Sequence, residues 1–185
     1  MKKIVLPTII LGLLVLSFQY VKSKPSKSLS GYKGFLEGIG GIDRSNSQDK
    51  IIRFITEMYD ARLMDIQEGL LAKERGTSEA IRQYGELMIN EQATLKTRLE
   101  DLARAKGVIL PNSLSSKKAK GLENLKKFEG KKFDRKFKKM ITIDHKRDIR
   151  KFKKALHIED IDLSTFAKQN LPLIEEHLRK IKEIK

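Results

Sequence analysis

Apolar residues recur every three or four positions along four long stretches of the chain, and polar residues fill the positions between them. That period places the apolar side chains on one face of an α-helix, so the pattern predicts four long helices. The stretches end at turn or helix-stopping residues and cover about 50–76, 77–107, 132–156 and 163–184. On the first helix, the residues expected to face inward are Ile52, Ile55, Tyr59, Leu63, Ile66 and Leu70.

The lengths of the connections predict how these helices pair. Residues 76–78 allow only a tight turn between the first two helices, and residues 157–162 form a similar turn between the last two. The middle connection, residues 107–130, is long and contains Pro111 and a short predicted helix near 122–128. Two helical hairpins joined by a long crossover are typical of ferritin-like four-helix bundles. We therefore predict an all-α fold of that kind.

The first residues have the order of a secretory signal peptide. Lys2 and Lys3 precede an apolar run over 4–18, and small residues stand just before a cleavage position after Ser23. The alternative is a retained membrane anchor, but a spanning helix usually needs about 20 apolar residues and this run is shorter. We predict a signal peptide over 1–23, a flexible Ser-, Gly- and Lys-rich tether over 24–49 and a helical domain over 50–185. The expected location is the periplasm or the outer membrane.

Several ionisable residues interrupt the apolar faces of the predicted helices near their middle. Glu91 lies on the second helix, His145 on the third and His177 on the fourth. At a rise of about 1.5 Å per residue, all three fall at a similar depth. Carboxylates and imidazoles that point inward from facing helices are the usual ligands of di-iron and di-manganese centres. The full candidate set is Glu68, Glu91, Asp144, His145, Asp148 and His177.

These residues admit two interpretations. As a metal site they would hold iron or manganese, and the protein would be an oxidase-like or metal-storage protein. As a buried polar network, Asp144 or Asp148 would pair with His177 without any metal. The Glu-x-x-His spacing of ferritin sites is absent, and polar layers are common in helical bundles. Both observations favour the network.

Five short segments keep a characteristic order: MDIQE at 64–68, GVILP at 107–111, FDRKF at 133–137, DH at 144–145 and LPLIEEHL at 171–178. Together they resemble the domain of unknown function 4142 family. That family comprises exported bacterial ferritin-like proteins, often described as outer membrane proteins, so the resemblance implies the fold and the compartment. The family usually shows Asp-His late in the second helix as well. Here Glu91-Gln92 stands at that place, so one ligand expected from the resemblance is missing.

Positive charge is concentrated in one part of the chain. The net charge is +15, which becomes +12 once the three lysines of the predicted signal peptide are removed. Residues 115–154 contain 17 Lys or Arg and five Asp or Glu, so this segment holds the whole mature excess. A basic face can dock onto anionic lipid headgroups or anionic envelope polymers, and the alternative is an ordinary solvated face. The lysines expected to bind are Lys131, Lys132, Lys138 and Lys139.

Several classes of function are disfavoured by what the sequence lacks. It has no Cys, which excludes disulfides and thiol chemistry, and neither a Gly-x-Ser-x-Gly turn nor a phosphate-binding loop. A hydrolase or kinase is not expected, and nucleic acid is not an expected partner because no aromatic-rich basic motif is present. The sequence favours a binding or stress-associated envelope protein over an enzyme. The alternatives are a metal-binding oxidase-like or storage protein and a structural protein attached by its basic face.

Overall fold

The computed structural model describes residues 44–185, and within that range the chain forms five helices and no strand. In chain order they are α1 (Arg44–Arg75), α2 (Glu79–Lys106), α3 (Ser116–Lys126), α4 (Gly130–Ala155) and α5 (Ile161–Glu183). The prediction of an all-helical fold is confirmed. The predicted signal peptide and residues 24–43 of the predicted tether lie outside the described residues. Among the described helices, none combines the length and apolar character needed to cross a bilayer.

Two helices begin earlier than the sequence pattern predicted. α1 begins at Arg44, six residues before the predicted start, and α3 begins at Ser116 and not near residue 122. Residues 44–49 contain only Arg, Ser, Asn, Gln and Asp. They include no Gly or Pro to stop a helix, but also no apolar residue whose spacing could reveal one. The predicted ends of α4 and α5 agree with the structure to within two residues.

Local hydrogen bonds fix the ends of α2 and α5. Ser78 precedes α2 and caps it, because its hydroxyl oxygen accepts a hydrogen bond from the backbone N–H of Ile81 at 3.3 Å. Gly107 ends α2 in the left-handed conformation, with φ of 64°, which glycine adopts without a steric penalty. Asp160 caps α5 by accepting from the N–H of Leu163 at 2.9 Å. These caps delimit the turns that join each pair of helices.

α1 and α2 form an antiparallel pair whose backbones approach closely. Near the turn, Lys73 of α1 donates to Glu86 of α2 at 3.0 Å. Further along, Gly69 of α1 faces Gly85 of α2. A Cβ added to Gly69 would lie 2.8 Å from the carbonyl oxygen of Gly85, and one added to Gly85 would lie 2.6 Å from that of Gly69. Glycine at both positions is therefore what permits this approach.

Two apolar clusters fill the interior, one on each side of a group of buried polar residues. The first cluster is built around Phe54 and Phe152, whose rings pack edge to face at a centroid distance of 5.2 Å. The second is built around Phe133 and Phe137, whose rings stack at 6.0 Å. Each cluster contains residues from both hairpins. Burial of apolar surface therefore joins α1 and α2 to α4 and α5 at two separate levels.

Two residues of α1 that were predicted to face the core do not. Ile52 is 39% exposed and Leu70 is 45% exposed. Instead, the neighbouring residues Ile51, Phe54 and Met58 are buried. Apolar residues on α1 lie on more than one face of the helix. Their spacing alone therefore predicted the wrong buried residues at both ends of α1.

Candidate functional site

Seven polar side chains, each at most 2% exposed, lie between the two apolar clusters, and all four long helices contribute to them. Burial of ionisable groups costs several kcal/mol unless they are paired, so their contacts decide what the group can do. We call this group the polar layer. Its members are Arg62, Asp65 and Glu68 of α1, Gln92 of α2, His145 and Asp148 of α4, and His177 of α5.

Arg62 is the positive centre of the polar layer. Its Nη2 lies 2.8 Å from the carboxylate of Asp65, one turn further along α1. The same nitrogen donates to the carboxylate of Asp148 on α4. The guanidinium is completely buried, and its contact with Asp148 ties the first hairpin to the second through charge.

The two buried histidines stack on each other across α4 and α5. The ring centroids of His145 and His177 are 5.6 Å apart. His177 also contacts α2, with Nε2 lying 2.5 Å from a carboxylate oxygen of Glu91 and Nδ1 lying 2.9 Å from the amide nitrogen of Gln92. Both contacts are satisfied at once when the neutral ring carries its proton on Nε2 and accepts from Gln92 on Nδ1.

Burial keeps both histidine rings neutral near pH 7. It lowers the pKa of His145 from 6.5 to about 3, and the positive charge of Arg62 acts in the same direction. Burial also lowers the pKa of His177 to about 4, although Glu91 works against the shift.

Burial shifts the pKa values of the buried carboxyl groups of α1 upward, in the opposite direction to those of the histidines. Burial raises the pKa of Glu68 well above its usual value, and the negative charges of Asp65 and Asp144 raise it further. Burial likewise raises the pKa of Asp65, in spite of Arg62 beside it. The raised pKa values favour the protonated, neutral form of these two carboxyl groups relative to an exposed carboxyl group.

Many polar atoms of this layer have no hydrogen-bond partner within the described residues. Nine buried side-chain nitrogen and oxygen atoms are in this position, and all belong to the polar layer. They include both ring nitrogens of His145 and both carboxyl oxygens of Glu68. A buried polar atom without a partner costs about 1–3 kcal/mol, so the layer is a site where a small polar ligand or a proton would be stabilised.

The structure buries four of the six residues that the sequence proposed, namely Glu68, His145, Asp148 and His177. Glu91 and Asp144 lie at the edge, with 36% and 20% of their side chains exposed.

The pairing predicted for the network is wrong. Asp144 pairs with Arg147 at 2.7 Å and Asp148 pairs with Arg62, while His177 pairs with Glu91 and Gln92. The arginines engage both aspartates, which the sequence could not show.

The side-chain types suit a metal ion better than their positions do. Imidazole nitrogens and carboxylate oxygens are common ligands of iron and manganese. However, in residues 44–185 no group of three or more His, Asp or Glu side chains is arranged to hold a metal ion. Arg62 also brings a fixed positive charge into the layer, which would repel a cation. We therefore assign no metal-dependent chemistry to this arrangement.

Sequence reasoning missed Arg62, Asp65 and Gln92. The first two continue a regular stripe of α1 with steps of four and three, and a complete reading of that stripe would have found them. Its buried members are Ile51, Ile55, Met58, Arg62, Asp65, Gly69 and Ala72. Gln92 follows Glu91 directly, and both lie within one turn of the buried Met88 and Leu95, so spacing could not separate them.

The outward face of α4 is a second candidate site. Apart from Gly130 and Ile143, every exposed residue of this helix is basic, whereas its three acids, Asp134, Asp144 and Asp148, are half-buried or buried. We call this surface the cationic face. Its basic members are Lys131, Lys132, Arg135, Lys139, Lys146, Arg150, Lys153 and Lys154.

The four lysines proposed from the sequence do not all belong to the cationic face. Lys131, Lys132 and Lys139 are exposed members. Lys138 is half-buried and donates to the backbone carbonyl of Ile184 at the end of the chain. Its ammonium group is thus used within the fold.

Comparisons with known proteins agree with this all-helical architecture. The family model described as "Domain of unknown function (DUF4142)" matches residues 44–184. The chain is also similar to the crystal structure of a DUF305 fragment from Deinococcus radiodurans, with a TM-score of 0.61 and 14% identity over 73% of this chain and 94% of that chain. At this identity the likeness shows the fold alone. No curated protein matches the chain.

Proposed function

The chain belongs to the domain of unknown function 4142 family, and from this premise we propose that it is an exported cell-envelope protein that binds anionic surfaces through the cationic face of α4. We include in the proposal a ferritin-like four-helix bundle as the scaffold that presents α4. The observation that carries it is the composition of that helix surface, where basic residues are exposed and all acids are turned away.

The shape of the cationic face suits an extended anionic partner. From Lys132 to Lys154 it runs about 33 Å, at a helical rise of about 1.5 Å per residue. Each Lys or Arg held near an anionic membrane contributes about 1 kcal/mol, so even part of this face would give stable docking. Lys153 is the member whose charge is engaged in an ion pair, with Glu175 at 3.0 Å. Lipid headgroups and linear envelope polymers share the anionic chemistry that this row would recognise.

The test compares two triple variants that remove the same charge. Lys132→Gln, Lys139→Gln and Lys146→Gln weaken the cationic face, while Lys73→Gln, Lys168→Gln and Lys182→Gln remove three exposed lysines elsewhere. Binding to vesicles containing phosphatidylglycerol should fall strongly for the first variant and little for the second. It should also weaken with salt, because exposed charges are screened beyond about 8 Å at physiological ionic strength.

Two further measurements distinguish lipid headgroups from a linear polymer as the anionic partner. Vesicles of phosphatidylcholine alone should not bind, and soluble polyphosphate should compete if a linear polymer is the partner. Equal losses in the two triple variants, or binding that salt does not change, would contradict the proposal.

The unpartnered atoms of the polar layer support a second candidate function, the binding of iron or manganese by an oxidase-like or storage protein. Glu68 and His145 would be the first ligands, because neither side chain has a hydrogen-bond partner among the described residues. Ligation needs a neutral imidazole and is lost in acid. Since burial alone gives the histidines the same pH dependence, only a chelator separates the two ideas. A melting temperature of the native protein that falls when a chelator is added would support metal binding, and an unchanged one would argue against it.

A further inference from the structure

A pocket of about 390 Å³ lies where the early turns of α1 meet the end of α4. Its floor is apolar. Phe54 is 6% exposed and Ala155 is 1% exposed, and Ile158 packs against the same apolar cluster. The size is within the range of about 300–1,000 Å³ that is common for small-molecule sites.

Four cations line this pocket, and one of them, Lys151, is paired with Glu57. Lys50, Arg53 and Lys154 line the pocket and are exposed, and none of them has an ion-pair partner within residues 44–185. The only carboxylate in the lining is that of Glu57, which is already paired with Lys151 at 2.7 Å. The pocket therefore combines an apolar floor with a rim of positive charge that its own acid does not neutralise.

We propose that this pocket binds a single-chain anionic amphiphile, such as a long-chain carboxylate, with the anionic group on the rim and the first methylene groups on the floor. Cations alone would fit any inorganic anion, and an apolar floor alone would fit a neutral ligand. The two together select a molecule in which a charged group is joined directly to an apolar chain. Burial of the methylene groups on the apolar floor adds to the affinity.

This site differs from the cationic face of the proposed function. Lys154 is common to both, but Lys50 and Arg53 belong to α1 and lie outside that face. The variant Lys50→Gln with Arg53→Gln therefore tests the pocket alone. Lys131→Gln with Lys132→Gln removes the same charge from α4 and serves as the matched control.

The experiment is a titration of the full mature chain with decanoate, acetate and decyl maltoside, followed by calorimetry and by NMR. Decanoate should bind saturably with one molecule per chain, whereas acetate lacks the chain and decyl maltoside lacks the charge. Loss of two cations should weaken decanoate binding roughly tenfold or more, on the scale of about 1 kcal/mol per charge. Ile158→Asn should weaken it without any change in charge, and the matched control should bind like the wild type.

Three results would overturn the proposal. The first is equal binding of acetate and decanoate, and the second is an equal loss in the matched control. The third is a wild-type chain that sediments as a dimer and takes up no decanoate, because the pocket would then receive a second copy of the chain. A chain that binds decanoate but not anionic vesicles would keep this proposal and remove the proposed function.

Discussion

Arg62 shows how one side chain can organise a buried site. Within residues 47–185 it is the only Lys or Arg that is fully buried. Basic residues are seldom buried unless they are paired, and the planar guanidinium can bond two carboxylates at once. Its contacts with Asp65 and Asp148 meet that requirement. Its removal would leave two carboxylates in the core without their cation.

Arg62→Leu should therefore lower the free energy of unfolding by about 3–5 kcal/mol, the usual cost of breaking a buried ion pair from one side. Arg147→Leu is the control, because its pair with Asp144 is partly exposed and should contribute about 1 kcal/mol or less. Urea denaturation of both variants measures the difference. Similar losses would show that Arg62 is not needed to compensate the buried acids.

Because the pKa values of the buried histidines are lowered, we expect acid to destabilise the protein. Their folded pKa values, about 3 for His145 and about 4 for His177, lie below the usual 6.5. The unfolded chain then binds more protons, so stability is lost as the pH falls from about 6.5 toward these values. Glu68 and Asp65, with raised pKa values, oppose this change, since their contribution is present in acid and is lost as the pH rises.

The variant His145→Leu separates the effect of the buried histidines on stability from the opposing effect of the buried acids. Both ring nitrogens of His145 lack partners, so the substitution should leave stability at pH 7 similar or higher and should reduce the loss between pH 7 and pH 5. Urea denaturation at the two pH values measures this. An unchanged pH dependence in the variant would mean that His145 does not titrate between the folded and unfolded states as described.

At the scale of residues, the sequence predicted the ionisable groups better than their partners. His145 and His177 interrupt clear apolar stripes, so their burial could be foreseen. Arg62 could not be recognised by residue type, because an arginine in a helix usually lies on the surface. The partners of Asp148 and His177 come from other helices, and the spacing within one helix carries no information about them.

At the scale of elements, the helix ends were predictable where a local signal exists. Ser78 and Gly107 act through their own neighbours in the chain, so the sequence alone reveals them. The contact of Gly69 with Gly85 depends on how two helices cross. In a sequence, a glycine within a helix indicates only a lower helix stability. Its role in a close contact between helices can be recognised once the partner helix is known.

Gly85→Ala should lower the free energy of unfolding by about 1–3 kcal/mol, because the new methyl group would press on the backbone of α1. Gly121→Ala in α3 is the matched control. There the nearest atom to the added Cβ is the terminal methyl of Met64 at 3.7 Å, so the better helix propensity of alanine should leave stability unchanged or raised by up to about 1 kcal/mol. Thermal unfolding followed by circular dichroism compares them. If Gly85→Ala does not lower the free energy of unfolding, α1 and α2 lie further apart than described above.

At the scale of the whole molecule, export is the prediction that fixes where the protein acts. The pattern over residues 1–23 predicts cleavage after Ser23. Mass spectrometry of the native protein should find an N-terminus near Lys24. An intact Met1 on most molecules would contradict cleavage, and a membrane-bound fraction with that N-terminus would favour the retained anchor.

The one-sided charge of α4 also sets how the free protein responds to its medium. Like charges four residues apart on a helix, such as Arg135 with Lys139 and Lys146 with Arg150, each destabilise it by about 0.2–0.5 kcal/mol. Counterions relieve this self-repulsion, so added salt should make the unbound protein more resistant to unfolding while it releases the protein from anionic surfaces. An anionic surface would itself supply the counterions. The surface would then stabilise the fold of α4, and the helix would be least stable in protein that is free in a medium of low ionic strength.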